Sequence, residues 1–215
     1  MPVTHGTAVV RFEPAGMAAD PALLTATELT RRDRLRRAED RTAYVAAHVL
    51  VRLCAAGLLG VPVEEVRIVQ TCPRCGTGPG HGVPSVIGHP DVGVSLSHGA
   101  RHVAAVAAWG PCGIDVETMD DDRVVLDVLS DRERTWLAAQ PEPGRAFRRL
   151  WVRKESLIKS GAAALDDAAY LDVLAETTTG ALKGDQAYGE WSAPDAVGAW
   201  VVLGTGRDAE ASAAS

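Results

Sequence analysis

The stretch "VGVSLSHGARHVAAVAAWGPCGIDVET", residues 92–118, decides how this chain is built. "VGVSLSH" and "HVAAVAAWG" predict two strands joined by the tight "GAR" connection, and the Gly110-Pro111 turn leads into a third strand, "CGIDVET". Upstream, "TAVVRFEP" reads as an opening strand ended by Pro14. The alanine-rich run before Gly57 and Gly60 has apolar residues at helical spacing and predicts two helices, the second over about 39–56. "PVEEVRIV" follows as a turn of helix and a strand, and the Gly- and Pro-rich "TCPRCGTGPGHGVPSVIGHPD" as a loop. Downstream, "VVLDVLSDRERTWLAAQ" and "GRAFRRLWVRKESLIKSG" predict two helices separated by "PEPG". Strands are expected near "AYLDVLAE" and "VGAWVVLG". The fold class is therefore α+β, expected as two similar α+β halves packed as a pseudo-dimer. The N-terminal half is 1–105, the C-terminal half 106–204, and 205–215 a flexible tail. No Pro- or Ser-rich linker separates the halves, so they are expected to pack as one body.

The chain has 215 residues, 47% of them hydrophobic and 23% charged, enough for one sizeable domain or two fused small ones. It has no run of about 18 apolar residues, which argues against a membrane span, and "MPVTHGTAVV" lacks the pattern of a signal peptide. Cysteines at 54, 72, 75 and 112 make no disulfide framework at this length, so a reducing cytoplasm is expected. A net charge of −6 argues against nucleic acid as a partner. The positive charge is concentrated, with five arginines in "RRDRLRR" at 31–37 and Arg145, Arg148, Arg149, Arg153 and Lys154 further on. Such a sector suits a polyanionic ligand or an acidic partner. A solvated helix face is the plainer reading.

Asp115 and Glu117 stand two apart on a predicted strand, so their carboxylates share a face. Like charges held close repel unless a cation or several donors intervene, and Mg²⁺ accepts one or two protein carboxylates alongside phosphate oxygens. In "WVRKESLIKS", residues 151–160, Glu155 falls in the same helical stripe as Trp151 and Ile158. A Glu there costs desolvation unless it meets a metal or cation, and Lys154 and Lys159 flank it. An ordinary Glu155–Lys159 surface pair at i,i+4 is the alternative.

Together, "GIDVE", the later "WVRKESLIKS" and the preceding "VSLSHGARHVAAVAA" resemble the 4′-phosphopantetheinyl transferase superfamily, in particular its larger Sfp type. The resemblance runs from the arginine cluster to about residue 175. It implies a monomeric enzyme that moves the 4′-phosphopantetheine arm of coenzyme A to a serine of an acyl or peptidyl carrier protein. Adenosine 3′,5′-bisphosphate is the other product. The resemblance assigns Mg²⁺, with Mn²⁺ as a substitute, to Asp115, Glu117 and Glu155. Glu155 is the candidate base, in competition with Glu117 or a water, and Lys154 and Lys159 would grip phosphate oxygens. Ser97, His98 and Arg31 would meet the 3′-phosphate, and Gly82 and Pro84 belong to the adenine loop. Glu133 matches a further acidic position without a settled role.

Val83 and Ala43 depart from the pattern, each where a cation is usual, with Arg41 a possible replacement for the second. "GAAALDD" lacks a usual second glycine. Carrier docking is expected beside the basic sector, near Met119 or Trp136. Cys72, Cys75, His81 and His89 offer a zinc alternative to free thiols in a loop. A non-catalytic coenzyme A or carrier-protein binder is the main rival function, and an unrelated Mg²⁺-dependent phosphohydrolase the second. Fatty acid, polyketide and nonribosomal peptide synthesis all use such carriers.

Overall fold

The computed structural model describes residues 3–5, 8–71, 82–120, 122–174 and 187–204. Strands β1 (Val3–His5), β2 (Ala8–Pro14), β3 (Ile68–Thr71), β4 (Val83–Val86), β5 (Val92–His98) and β6 (His102–Trp109) form one antiparallel sheet in the order β1-β2-β6-β5-β4-β3. β7 (Cys112–Thr118), β8 (Ala187–Ala193) and β9 (Ala196–Val202) form a second, ordered β7-β9-β8. The helices are α1 (Ala26–Arg34), α2 (Ala38–Leu59), α3 (Asp131–Ala138) and α4 (Pro143–Lys159). This is an α+β fold, one long helix lying on each antiparallel sheet. The sheets are unequal, six strands against three, and residue 106 lies inside β6; the chain changes sheet between Trp109 and Cys112.

Side-chain alternation builds the layers. Val103, Ala105 and Ala107 of β6 meet α2, while Ala104, Val106 and Ala108 meet Cys112, Ile114 and Val116 of the second sheet. The far face of that sheet, with Val197, Ala199 and Val201, packs on Val152 of α4. The order of layers is thus helix, sheet, sheet, helix. By length and composition α2 would also pass for a membrane span, but its apolar residues fill the core against β2, β5 and β6.

Three expectations need correction. The segment before Asp91 is not all loop, because Val83–Val86 pairs with β3 and touches β5 at Ser85–Gly93. Pro84 is tolerated there because pairing on the β5 side is this brief. The "VVLDVLSDRERTWLAAQ" helix is broken: a 3-10 turn at Leu126–Val128 precedes Ser130, whose side chain caps α3. Where "AYLDVLAE" predicted a strand, a 3-10 turn ends at Tyr170 and no strand follows through residue 174. β8 was not anticipated. The expected tail, residues 205–215, lies outside the described residues.

Candidate active site

The two signature stretches meet because β7 and α4 touch at a glycine. A Cβ on Gly113 would lie 1.9 Å from the Ser156 carbonyl oxygen and 2.7 Å from the Ser160 nitrogen, so no other residue lets α4 sit this close. The next inward positions on that face are Asp115 and Glu117, opposite Glu155 and Lys159 on the helix. Asp115 is buried, and its Oδ1 accepts from Lys159 Nζ at 2.6 Å and from Ser97 Oγ at 2.8 Å. Lys159 therefore pairs across elements with Asp115, and among the described residues no salt bridge joins it to Glu155 along the helix. Oδ2 of Asp115 is buried without a partner among the described residues.

Burial first, and the Asp115 charge second, push the carboxyls of Glu117 and Glu155 above the ordinary range, while Lys159 draws both partly back. Mutual repulsion and an orphaned carboxylate oxygen are relieved by a hard cation, and an all-oxygen donor set suits Mg²⁺. The residues fit such an ion in chemistry. Among the described residues no three acidic, His or Cys side chains are yet grouped tightly enough to enclose one, so the carboxylates would have to draw in around it.

Beside this acidic corner opens a cleft of about 530 Å³. Its walls come from α1 (Arg31), α2 (Tyr44, His48), β3 (Gln70), the start of β4 (Gly82, Val83, Pro84), β5 (Ser95 to His98) and the end of α4 (Ile158, Lys159). Arg31, Gly82, Pro84, Ser97, His98 and Lys159, far apart in sequence, are thus brought together. Arg31 Nη1 donates to Gln70 Oε1 at 2.7 Å. Gly82 has φ of 120°, a backbone conformation that favours glycine. Burial, then the neighbouring His48 and Lys159, push the His98 imidazole below its usual value. Ser97 aims its hydroxyl at Asp115, so it links cleft to acidic corner. Ser95 adds a second tie, its Oγ accepting from the Ile114 N–H at 3.2 Å. On the other side of Glu117 a hollow of about 430 Å³ is lined by Val125, Val128, Phe147, Arg148 and Trp151.

Lys154 is a correction. Its side chain is wholly buried, Nζ lying 2.7 Å from Glu133 Oε2 and donating to the carbonyls of Ala168, at 2.8 Å, and Leu171. All of its ligands are protein groups, so it is not a phosphate-binding cation. The same contacts give Glu133 its role. Its carboxylate accepts from the N–H groups of Ser130 (2.8 Å) and Val173 (3.0 Å) as well as from Lys154, which locks α3, α4 and the segment after Tyr170 together. Two other cations of α4 also meet protein groups: Arg153 is buried and pairs with Glu190, and the half-buried Arg148 donates to the Thr118 carbonyl at 2.7 Å, while Arg149 is exposed.

Ala43 is 1% exposed in the α2 core. Arg41 donates to the Leu35 carbonyl at 2.8 Å and borders a different hollow, so it does not restore a cation to the cleft. Val83 is exposed at the cleft mouth. Met119 packs against the core, whereas Trp136 is partly exposed. His89 is exposed, and Cys72, Cys75 and His81 fall outside the described residues.

Tyr44, His48, Gln70 and Ser95 were missed by sequence reading. The first two carried a signal: Tyr44, His48 and Arg52 recur every four residues through the otherwise apolar part of the helix after Thr42.

Residues 111–197 match the model of the 4′-phosphopantetheinyl transferase superfamily, a span that contains β7, α3, α4 and β8. No curated protein matches the chain. The match supports the superfamily over less than half of the chain.

Proposed function

We propose that the chain is a two-halved, Sfp-type holo-carrier-protein synthase that is Mg²⁺-dependent, cytoplasmic and monomeric. The observation that carries this reading is the junction of the cleft with the acidic corner, where Ser97 and Lys159 both bond to Asp115. Both sheets contribute to that junction, β5 from the first and β7 from the second, which supports the two-halved type over a smaller unit needing a second copy.

In this reading Arg31, His98 and the Gly82–Pro84 edge hold the nucleotide end of coenzyme A, and Lys159 meets its pyrophosphate. Asp115, Glu117 and Glu155 would hold Mg²⁺, and such an ion would supply positive charge against the charge developing on the leaving adenosine 3′,5′-bisphosphate. The carrier serine Oγ bonds to the β-phosphorus as the bridging P–O bond to the leaving bisphosphate breaks. Its proton passes to Glu155, Glu117 or a water at the acidic corner, a carboxylate that holds the metal being the poorer base. The exposed Trp136 offers an apolar contact for the carrier. Because Lys154 is internal, the anion-facing cations are fewer than the sequence pattern suggests, and a non-catalytic binder is the reading to test against.

Intact-mass spectrometry of an apo carrier protein incubated with the protein, coenzyme A and Mg²⁺ tests this. A gain of one phosphopantetheine group that is lost with EDTA and in Glu155→Ala is expected. Coenzyme A binding without any mass gain on fatty acid, polyketide and peptide carriers would leave only the binder.

A further inference from the structure

We propose that His48, positioned by Glu28, is a phosphate-binding residue of the cleft, reading the 3′-phosphate of coenzyme A; this rests on the function proposed above. His48 is 3% exposed, yet it borders the cleft. Its Nδ1 lies 2.8 Å from Glu28 Oε1. A carboxylate there accepts, so Nδ1 carries the hydrogen and Nε2 is the nitrogen left for a ligand. The ring is fixed in plane by Tyr44, stacked on it at 4.1 Å.

Glu28 is itself immobilised. It is 6% exposed and accepts from Arg52 Nη2 at 2.7 Å and from the Thr25 N–H at 2.7 Å, closing the capping box of α1. Behind the imidazole therefore stands a fixed negative charge. A protonated ring would donate from Nε2 to an anion while Nδ1 donates to Glu28, its positive charge balanced on both sides. Around it stand Glu28 and Arg31 from α1, Tyr44 and Arg52 from α2, His98 from β5 and Lys159 from α4, with the Asp40 charge acting on His98. Lys159 lies at the acidic corner beside Asp115, and Arg31, His48 and His98 line the first-sheet wall of the cleft, where a terminal phosphomonoester would sit. His48 also supplies a cation in a cleft where Val83 gives none.

A buried histidine that merely ties α1 to α2 makes a different prediction, and calorimetry separates the two. Coenzyme A and dephospho-coenzyme A, which lacks the 3′-phosphate, are titrated into the wild type, His48→Gln and His48→Arg at about pH 6 and about pH 8.5, either side of the imidazole range. The wild type is expected to prefer coenzyme A, more strongly at the lower pH. His48→Gln should cut that preference roughly tenfold and flatten its pH dependence, and His48→Arg should keep the preference at both pH values. An unchanged preference in His48→Gln overturns the proposal and leaves the transferase reading intact. Failure of the wild type to bind either compound removes both. Should His48→Gln fail to fold, the wild type still decides: adenosine 3′,5′-bisphosphate must move the His48 ring resonances to imidazolium positions, and their failure to move overturns the proposal.

Discussion

Replacing Lys154 by Met removes one half of a buried ion pair and tests whether that lysine belongs to the scaffold or to the phosphates. Both side chains are 0% exposed, with Nζ and Oε2 2.7 Å apart. Met fills most of the volume of Lys but leaves Glu133 charged, with only backbone donors to share its charge, and leaves the Ala168 and Leu171 carbonyls without their donor. Breaking such a pair from one side costs about 3–5 kcal/mol. With a urea m-value of about 2–3 kcal/mol/M for a chain of this size, the unfolding midpoint falls by about 1–2 M. The double variant Lys154→Met with Glu133→Leu removes the stranded charge and recovers much of that loss, since a well-packed apolar pair is often as stable as the ion pair it replaces. Urea unfolding followed by circular dichroism measures both, and calorimetry in buffer without urea measures coenzyme A affinity. Affinity within about twofold of wild type is expected for the folded double variant. A midpoint shifted by less than about 0.3 M in Lys154→Met, combined with weakened coenzyme A binding, would refute the reasoning and return Lys154 to the phosphates.

Other expectations follow from the same contacts. Gly113→Ala places a methyl group in the α4 backbone, so it should lower stability by several kcal/mol or push α4 off β7, with most transfer activity lost; thermal melts and carrier labelling read both. Glu117 and Glu155 titrate above ordinary carboxylates, so divalent-ion binding, followed as a Mg²⁺-dependent rise in Tm, should weaken as pH falls through that raised range, and Asp115→Ala should abolish the rise altogether. Burial alone would raise the Glu28 pKa, but hydrogen bonds from His48, the Thr25 N–H and Arg52 hold it at about 2. A folded-state value below the unfolded one stabilises above the unfolded value and is lost as pH falls towards the folded one. Glu28→Gln should therefore be less stable than wild type at neutral pH and lose less between about pH 4.5 and about pH 2, as acid unfolding curves would show.

The strands around Gly99–Arg101 and Gly110-Pro111 were legible because their turns are short and their side chains small and apolar. The acidic corner was legible too, since two-residue spacing on a strand and the stripe of α4 place Asp115, Glu117 and Glu155 by local geometry alone. Lys154 was misread because its partner, Glu133, lies on another helix, and no local rule says which of the two lysines of α4, Lys154 or Lys159, turns inward. The Ser130-x-x-Glu133 pattern does announce a cap on α3, but not that the same carboxylate also receives Lys154 and the Val173 N–H. β4 was hidden by Gly82 and Pro84, residues that break isolated strands yet are accepted where pairing is brief. His48 was passed over because an imidazole inside an apolar helix looks like packing until the tertiary fold opens a cleft beside it.

β6 is apolar on both sides, one set of its side chains against α2 and the other against the second sheet. Neither sheet, taken alone, therefore has a water-tolerant surface on the side where they meet. A chain severed at Gly110 would yield two fragments with matching sticky faces, which should reassemble when made together and aggregate when made apart. The same property constrains heredity: a recombination event that swaps one half between related genes must carry over the small alanines of β6 along with Ile114 and Val116 of β7, or the new pairing will not close.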